Sequence, residues 1–308
     1  MQKFERIPQA QKFAQDPRFH SAAPRLQCKL GIELPFYYFV GYSMYKTTHY
    51  VSRQPDANGI IHYSDEENKT WHDLYQRQIE VIQNRGCAEY INGLSILNMA
   101  SDRIPQIHEV NKALNKATGW SVKEVAALIP FDEFFNLLAN RQFPAATFIR
   151  TREDFNYIRE PDIFHEFFGH CPMLTEPVYA DFMQNYGKLG LHASQKDRAM
   201  LARLYWFTVE FGLIQTKQGL RIYGGGILSS NSETTYSVES DIPQRKLLVP
   251  LEALRTPYRI DILQPIYFVI KDFQDLYDFM QVNLFDIIAE AKKLGEYAPT
   301  YEENKNSE

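Results

Sequence analysis

Residues 160–170 read EPDIFHEFFGH, and residues 204–212 read LYWFTVEFG. The first stretch carries His165 and His170; the second carries Glu210 inside an apolar run. Two imidazoles and one carboxylate form a facial ligand set that leaves the opposite coordination positions open, the pattern of non-haem Fe(II) centres that activate oxygen. The zinc-protease pattern HExxH spaces its histidines four apart on one helical face, with the Glu as general base. Here the step is five. On an ideal helix that step rotates roughly 140°, so an unbroken helix cannot aim both rings at one metal. Gly169 is therefore expected to end the helix in a left-handed cap. Pro172 then blocks its resumption, His165 projects from the last turn and His170 returns from the exit loop.

Other readings of these residues stand beside this one. Two histidines at a helix end are often ordinary polar residues. A carboxylate buried in Tyr205–Gly212 is costly unless paired, and either a metal or an arginine would relieve it. Cys171 follows His170 directly, but a soft thiolate suits zinc or copper better than this O/N set. A zinc hydrolase with Glu166 as base is a rival; the five-residue gap and Gly169 count against it.

The 308 residues are 44% hydrophobic and 23% charged, enough for a large core in one or two domains. Nineteen Tyr and 21 Phe fit an aromatic-lined pocket or an aromatic core. A net charge of −5 gives no electrostatic footprint for nucleic acid or an anionic membrane. Cys28, Cys87 and Cys171 are sparse, odd in number and without CxxC spacing, which suggests a reducing compartment. With no signal-length or membrane-spanning apolar run, a cytoplasmic location is expected.

The chain divides into an N-terminal arm (1–50), a catalytic domain (51–295) and a flexible tail (296–308). Apolar periodicity predicts helices over 71–85, 88–98, 105–117, 121–128, 131–139, 153–168, 178–190 and 197–216, with a long amphipathic helix over 272–293. Thr70 or its neighbours are expected to cap the first of these. Strands are expected at Phe36–Tyr45, Leu220–Tyr223 and Ile260–Val269, with Gly224–Gly226 as a tight loop. The expected fold is mainly α (α+β), a single helical domain with a few short strands.

With EPDIFHEFFGH, LYWFTVEFG and YGGGILSS (223–230) in order, the chain resembles the tetrahydropterin-dependent aromatic amino acid hydroxylases, and the bacterial phenylalanine hydroxylases most. The likeness runs from about Tyr50, in YVSRQPDANGIIHYSDEENKTW, to about Phe279. It implies a helical basket with iron in an open cleft. The implied ligands are His165, His170 and Glu210, and the implied cofactors are Fe(II) and a tetrahydropterin, with O2 as co-substrate. The implied reaction is ring hydroxylation through an iron-oxo electrophile. One oxygen atom enters the product, and the other leaves on the pterin as its hydroxylated carbinolamine.

By the same resemblance Arg150, which ends FPAATFIR, holds the substrate carboxylate through a bidentate fork, and Asp162 orients that arginine. Trp206 is a wall of the substrate pocket and Ser229 lies near its far end. Pro161, grouped with the substrate site, sets the start of the ligand helix. Phe134, in PFDEFF, stacks on the pterin, while Ile129 and Phe131 belong to the loop whose backbone reads its edge. Glu166 faces the pterin through water, and Tyr205 lines the iron cleft.

Tryptophan hydroxylases usually carry Phe at the position of Trp206, and tyrosine hydroxylases an acidic residue at that of Ile260. Isoleucine offers a phenolic hydroxyl nothing to pair with, so both positions favour phenylalanine as substrate and tyrosine as product. Tryptophan or tyrosine hydroxylation, or a catalytically silent aromatic-ligand binder, are the alternatives. Ile158 and Arg159 replace a Thr-Pro pair found in animal members. The animal regulatory domain and tetramerisation helix have no counterpart, so a monomer or dimer with little activation by phenylalanine is expected.

Overall fold

A computed structural model describes residues 50–126, 129–158 and 160–301. The expected strand at 36–45, nearly all of the N-terminal arm, Cys28, Arg159 and the end of the tail lie outside the described residues. Helix α1 (Asp65–Val81) starts six residues before the anticipated Trp71. Its cap is Ser64, whose hydroxyl accepts from the Glu67 amide while the Glu67 carboxylate accepts from the Ser64 amide. This reciprocal box satisfies two amides that Thr70, already inside the helix, cannot reach. Trp71, Leu74 and Gln78 form its buried face.

Helices α2 (Ala88–Leu97) and α3 (Ile107–Thr118) follow, α3 ending at Gly119 with φ 77°. The helix expected over 121–128 is instead strand β1 (Ser121–Glu124), parallel to β2 (Gln142–Ala145) with Ser121 opposite Gln142. With α3 closed at Gly119, the Asn111 side chain bonds both the amide and the carbonyl of Val122, fixing an extended backbone there. Between these strands runs α4 (Phe131–Ala139). It packs against α5 (Pro177–His192), where a Cβ on Gly187 would lie 2.4 Å from the Ala139 amide nitrogen.

The helix expected over 153–168 does not form from 153; residues 153–156 make turns and regular helix begins at Ile163. Nor does it end at Gly169. Residues His165–His170 form a π-helical turn, closed by the Cys171 amide bonding the Glu166 carbonyl five residues back. A one-turn 3-10 helix (Met173–Thr175) follows Pro172. Helix α6 (Gln195–Tyr205) passes into a second π turn (Trp206–Glu210), with the Phe211 amide on the Trp206 carbonyl. The helix expected to reach 216 thus stops at Glu210, and 213–216 is strand.

Strands β3 (Leu213–Thr216) and β4 (Gly219–Ile222) form an antiparallel hairpin. Helix α7 (Gly225–Leu228), where a loop was expected from the glycine run, leads into α8 (Asn231–Glu239). Then come β5 (Gln244–Leu247), α9 (Pro250–Arg255) and β6 (Ile266–Ile270). The sheet order is β4-β3-β6-β5, with β6 central, fully buried and parallel to both neighbours. That burial explains why β6 reads as a continuous apolar run. It starts after Pro265, so residues 260–265, expected as strand, are loop.

The expected long C-terminal helix is two: α10 (Phe273–Phe279) and α11 (Leu284–Leu294). Asn283 breaks it, its side-chain amide donating to Asp286 as the second helix begins. Among the described residues no helix is long and apolar enough to cross a membrane. The architecture is mainly helical with short strands, as expected.

Candidate active site

The two π turns bring three predicted ligands together. Among the described residues His165, His170 and Glu210 are the group able to hold a metal ion, their ligand atoms all within 4.8 Å of one another. His165 Nε2 lies 2.9 Å from His170 Nε2, and these nitrogens lie 3.6 and 3.4 Å from the Glu210 carboxylate. The i→i+5 bonding of a π turn is what permits this. It widens the helix so that residues five apart share a face, which an α-helix or a cap at Gly169 would not achieve.

The second coordination shell decides the chemistry of these donors. The Ser229 hydroxyl donates to the Gly225 carbonyl at 2.9 Å, so it accepts from His165 Nδ1, also at 2.9 Å. That fixes Nδ1 as the protonated nitrogen and leaves the Nε2 lone pair facing the cluster. Burial pushes the His165 pKa down to about 4, with His170 acting the same way against Glu210, so the ring is neutral near pH 7. Burial works to raise the Glu210 pKa, but the two imidazoles overcome it and hold the carboxyl below its ordinary value. With His170 also protonated at Nδ1, both Nε2 lone pairs and the carboxylate would face one point, an arrangement that a cation among them satisfies. Two nitrogens and one oxygen on one side suit non-haem iron. Cys171 is buried, which pushes its thiol well above its ordinary pKa, and it is not among the residues whose ligand atoms cluster.

Glycines floor the cluster. A Cβ on Gly225 would sit 2.3 Å from His170 Nδ1, and one on Gly226 would sit 2.8 Å from a Glu210 carboxylate oxygen. A Cβ on Gly169 would lie 2.6 Å from the Gly225 carbonyl oxygen. The run Gly224–Gly226 therefore serves close approach of α7 to both π turns. His170 is further oriented by the Phe143 ring at 5.2 Å.

Arg150 and Asp162 form a buried pair, not a surface one, at 6% and 0% exposure. Asp162 accepts from Arg150 Nε at 2.7 Å and Nη2 at 2.8 Å, and from its backbone amide at 3.0 Å. It also accepts the His165 amide at 3.0 Å, joining the arginine to the first π turn. Burial alone would raise the Asp162 pKa; Arg150 outweighs it and keeps the group ionised. Of the five guanidinium N–H donors, two are engaged by the Asp162 side chain. Half-buried Pro161 precedes this aspartate.

Trp206 opens the second π turn, stacked on Tyr258 with centroids 4.7 Å apart. Tyr205, beside it, meets Phe134 edge-on at 5.6 Å. Phe131 stacks on Phe135 at 5.9 Å, and Ile129, Phe131, Phe134 and Glu166 are all buried. Ile260 is partly buried against the core. Phe134 thereby packs on Tyr205, the residue before the second π turn.

Sequence reasoning missed Gln264, which accepts the Trp206 indole N–H at 3.1 Å, and Glu233 behind it. No spacing rule links 206, 233 and 264; a glutamate in the amphipathic context of α8 gives no signal of burial.

The sequence model of the biopterin-dependent aromatic amino acid hydroxylase family matches residues 40–292. The phenylalanine-4-hydroxylase of Pseudomonas aeruginosa is 56% identical over 256 residues, covering 83% of this chain and 97% of that protein. A solved phenylalanine hydroxylase from Legionella pneumophila is 53% identical with a TM-score of 0.80, over 82% of this chain and 100% of that one. The Chromobacterium violaceum phenylalanine hydroxylase, solved with bound oxidised Fe(III), is 41% identical with a TM-score of 0.76, over 82% and 94%.

Proposed function

The chain belongs to the biopterin-dependent aromatic amino acid hydroxylase family, and from that premise we propose that it is a non-haem Fe(II), tetrahydropterin-dependent monooxygenase converting L-phenylalanine to L-tyrosine with O2. The observation that carries the reading is the convergence of His165, His170 and Glu210, with Ser229 fixing the His165 tautomer. His165, His170 and Glu210 would hold the iron, which would supply oxygen activation with two electrons from the pterin, one oxygen atom going to the ring and the other to the pterin.

The chain's own groups bind and orient. Arg150 presents the N–H donors that Asp162 does not occupy to the amino acid carboxylate, and the buried aspartate keeps the fork in one plane. The same aspartate holds the first π turn through the His165 amide, so carboxylate anchor and metal ligand share one reference point. Trp206 and Ile260 wall the ring, and Ile260 offers no partner to a phenolic hydroxyl. Phe134 and the backbone at Ile129 and Phe131 hold the pterin, with Glu166 and Tyr205 toward the iron cleft. Cys87 and Cys171, both free, fit a cytoplasmic location.

The test is tyrosine formed per pterin oxidised by Fe(II)-loaded protein given phenylalanine, against tyrosine and tryptophan as rival substrates. One-for-one formation is expected with phenylalanine. No hydroxylated product from iron-holding protein would sink the reading. Arg150→Ala is expected to raise the KM for phenylalanine by about a hundredfold, the cost of a charge-assisted bidentate contact; an unchanged KM removes Arg150 from the site.

A further inference from the structure

Behind the proposed substrate pocket lies one side chain that the reaction does not otherwise use. Gln264 is 1% exposed, and both ends of its amide are engaged. Oε1 accepts the Trp206 indole N–H at 3.1 Å. Nε2 donates to the Arg259 carbonyl at 2.7 Å and the Ile262 carbonyl at 3.0 Å. The Gln264 backbone amide donates to Glu233 Oε1 at 3.0 Å, and the same oxygen accepts the Tyr267 hydroxyl.

Only one amide orientation satisfies this network. Flipped, the NH2 would face an indole donor and the oxygen would face two carbonyls. The two carbonyls flank Ile260, and Trp206 stacks on Tyr258, two residues before it. Residues 258–264 have no regular secondary structure to set their distance from the second π turn. One amide therefore ties the aromatic wall to the loop that carries the aliphatic wall.

We propose that Gln264, seated by Glu233 and Tyr267, is a positioning residue that fixes the spacing between Trp206 and Ile260 and so sets the preference for phenylalanine over the wider indole of tryptophan. This rests on the reading of Trp206 and Ile260 as pocket walls. A buried indole N–H needs an acceptor. Without one the ring turns toward another, and without the two donors the loop is released. Either change widens the pocket and loosens its grip on a single six-membered ring.

Two variants test it in the iron-loaded enzyme. Gln264→Glu keeps the acceptor for Trp206 but cannot donate to the carbonyls; Gln264→Met keeps the volume and loses both. In each, the ratio of kcat/KM for phenylalanine to that for tryptophan is expected to fall about tenfold, the scale of a small change in pocket fit. The fall should come through KM for phenylalanine, with iron content unchanged. Glu233→Gln retains an acceptor for both donors and should retain the selectivity. If Gln264→Met proves insoluble, the near-isosteric Gln264→Glu decides.

Trp206→Phe, run alongside, separates the two readings. If it shifts the selectivity while the Gln264 variants do not, the positioning role is wrong and the walls stand. If it too leaves selectivity unchanged, the wall reading falls and the proposal with it. A loss of kcat with selectivity intact, which generic damage to packing would produce, also overturns the proposal.

Discussion

The two π turns of this chain do different work with the same backbone device. The first, His165–His170, carries a ligand at each end, and its i→i+5 register brings both rings to one side. The second, Trp206–Glu210, carries one ligand at its end and Trp206, proposed above as a pocket wall, at its start, and depends on other elements to place both. Gln264 holds the indole, and Gly226 leaves room for the carboxylate. The first turn thus pairs its ligands by its own register, with Asp162, Ser229 and Phe143 orienting the rings, whereas the second must meet its partners through other elements. A ligand pair within one turn is legible as spacing; a ligand and a wall placed from outside are not.

The largest effect should come from removing what joins the turns. Glu210→Ala takes away the one ligand from the second turn. Its iron content, measured by metal analysis, should fall to near zero, and activity by more than about a hundredfold, beyond what loss of a hydrogen-bond partner of a ligand costs. Retention of a full equivalent of iron would mean that the first turn suffices alone.

Gly169→Ala should next separate the two turns in stability. Its Cβ meets the backbone carbonyl of Gly225, which has little freedom to move. A loss of about 3 kcal/mol in urea unfolding is expected, the upper range for overpacking a filled core. Gly226→Ala meets the carboxylate end of Glu210 and should weaken iron binding more than it destabilises the fold. Equal behaviour of the two variants would erase the distinction between a ligand pair set by one turn's register and a ligand placed from outside its turn.

Ser229→Ala tests the first turn's tautomer. Without the hydroxyl, His165 Nδ1 loses its acceptor, and iron affinity should drop by about tenfold to a hundredfold by competition with a chelator. Unaltered affinity would show that packing alone sets the ring.

The smallest effect concerns what seats the second turn. Burial raises the Glu233 pKa from its ordinary 4.5 to about 7, against the Tyr267 and Gln264 hydrogen bonds that lower it. Tyr236 and Arg245 are the charged or titratable groups near this pair. Because the folded pKa is the higher one, the contribution to stability is full below pH 4.5 and lost as pH rises through 7. Glu233→Gln should remove that decline, so urea midpoints at pH 5 and pH 8 should differ less in the variant than in the parent. The same slope in both would place the titration elsewhere.

Much of the fold was legible because it is local. The apolar periodicity of α2, α3 and α4 lies within single segments, and their expected spans agree with the helices found to within about two residues. What misled was also local. Helical periodicity over 121–128 holds no trace of Asn111 bonding Val122 into an extended strand. The apolar stripe over 272–293 continues across Asn283, although that residue's side chain starts a second helix. The Thr70 cap failed because Ser64, with Glu67 three residues on, satisfies two amides where Thr70 satisfies none.

At the site, the sequence by itself favoured His165, His170 and Glu210 as ligands through their spacing, the cost of an unpaired carboxylate in an apolar run and the resemblance of the motifs. It left an arginine partner for Glu210 open until the structure brought the three together. It also determined that an ordinary helix cannot serve a five-residue step. It did not determine how the chain resolves that conflict. A left-handed cap at Gly169 and a widened π turn both answer the spacing. The structure takes the π turn, and the Gly225 carbonyl packs where a side chain on Gly169 would be. That contact joins residues 56 positions apart, and Gln264 joins Trp206 across 58. Only the tertiary structure decided these, because steric exclusion and hydrogen bonding act between neighbours in space, wherever the chain has brought them.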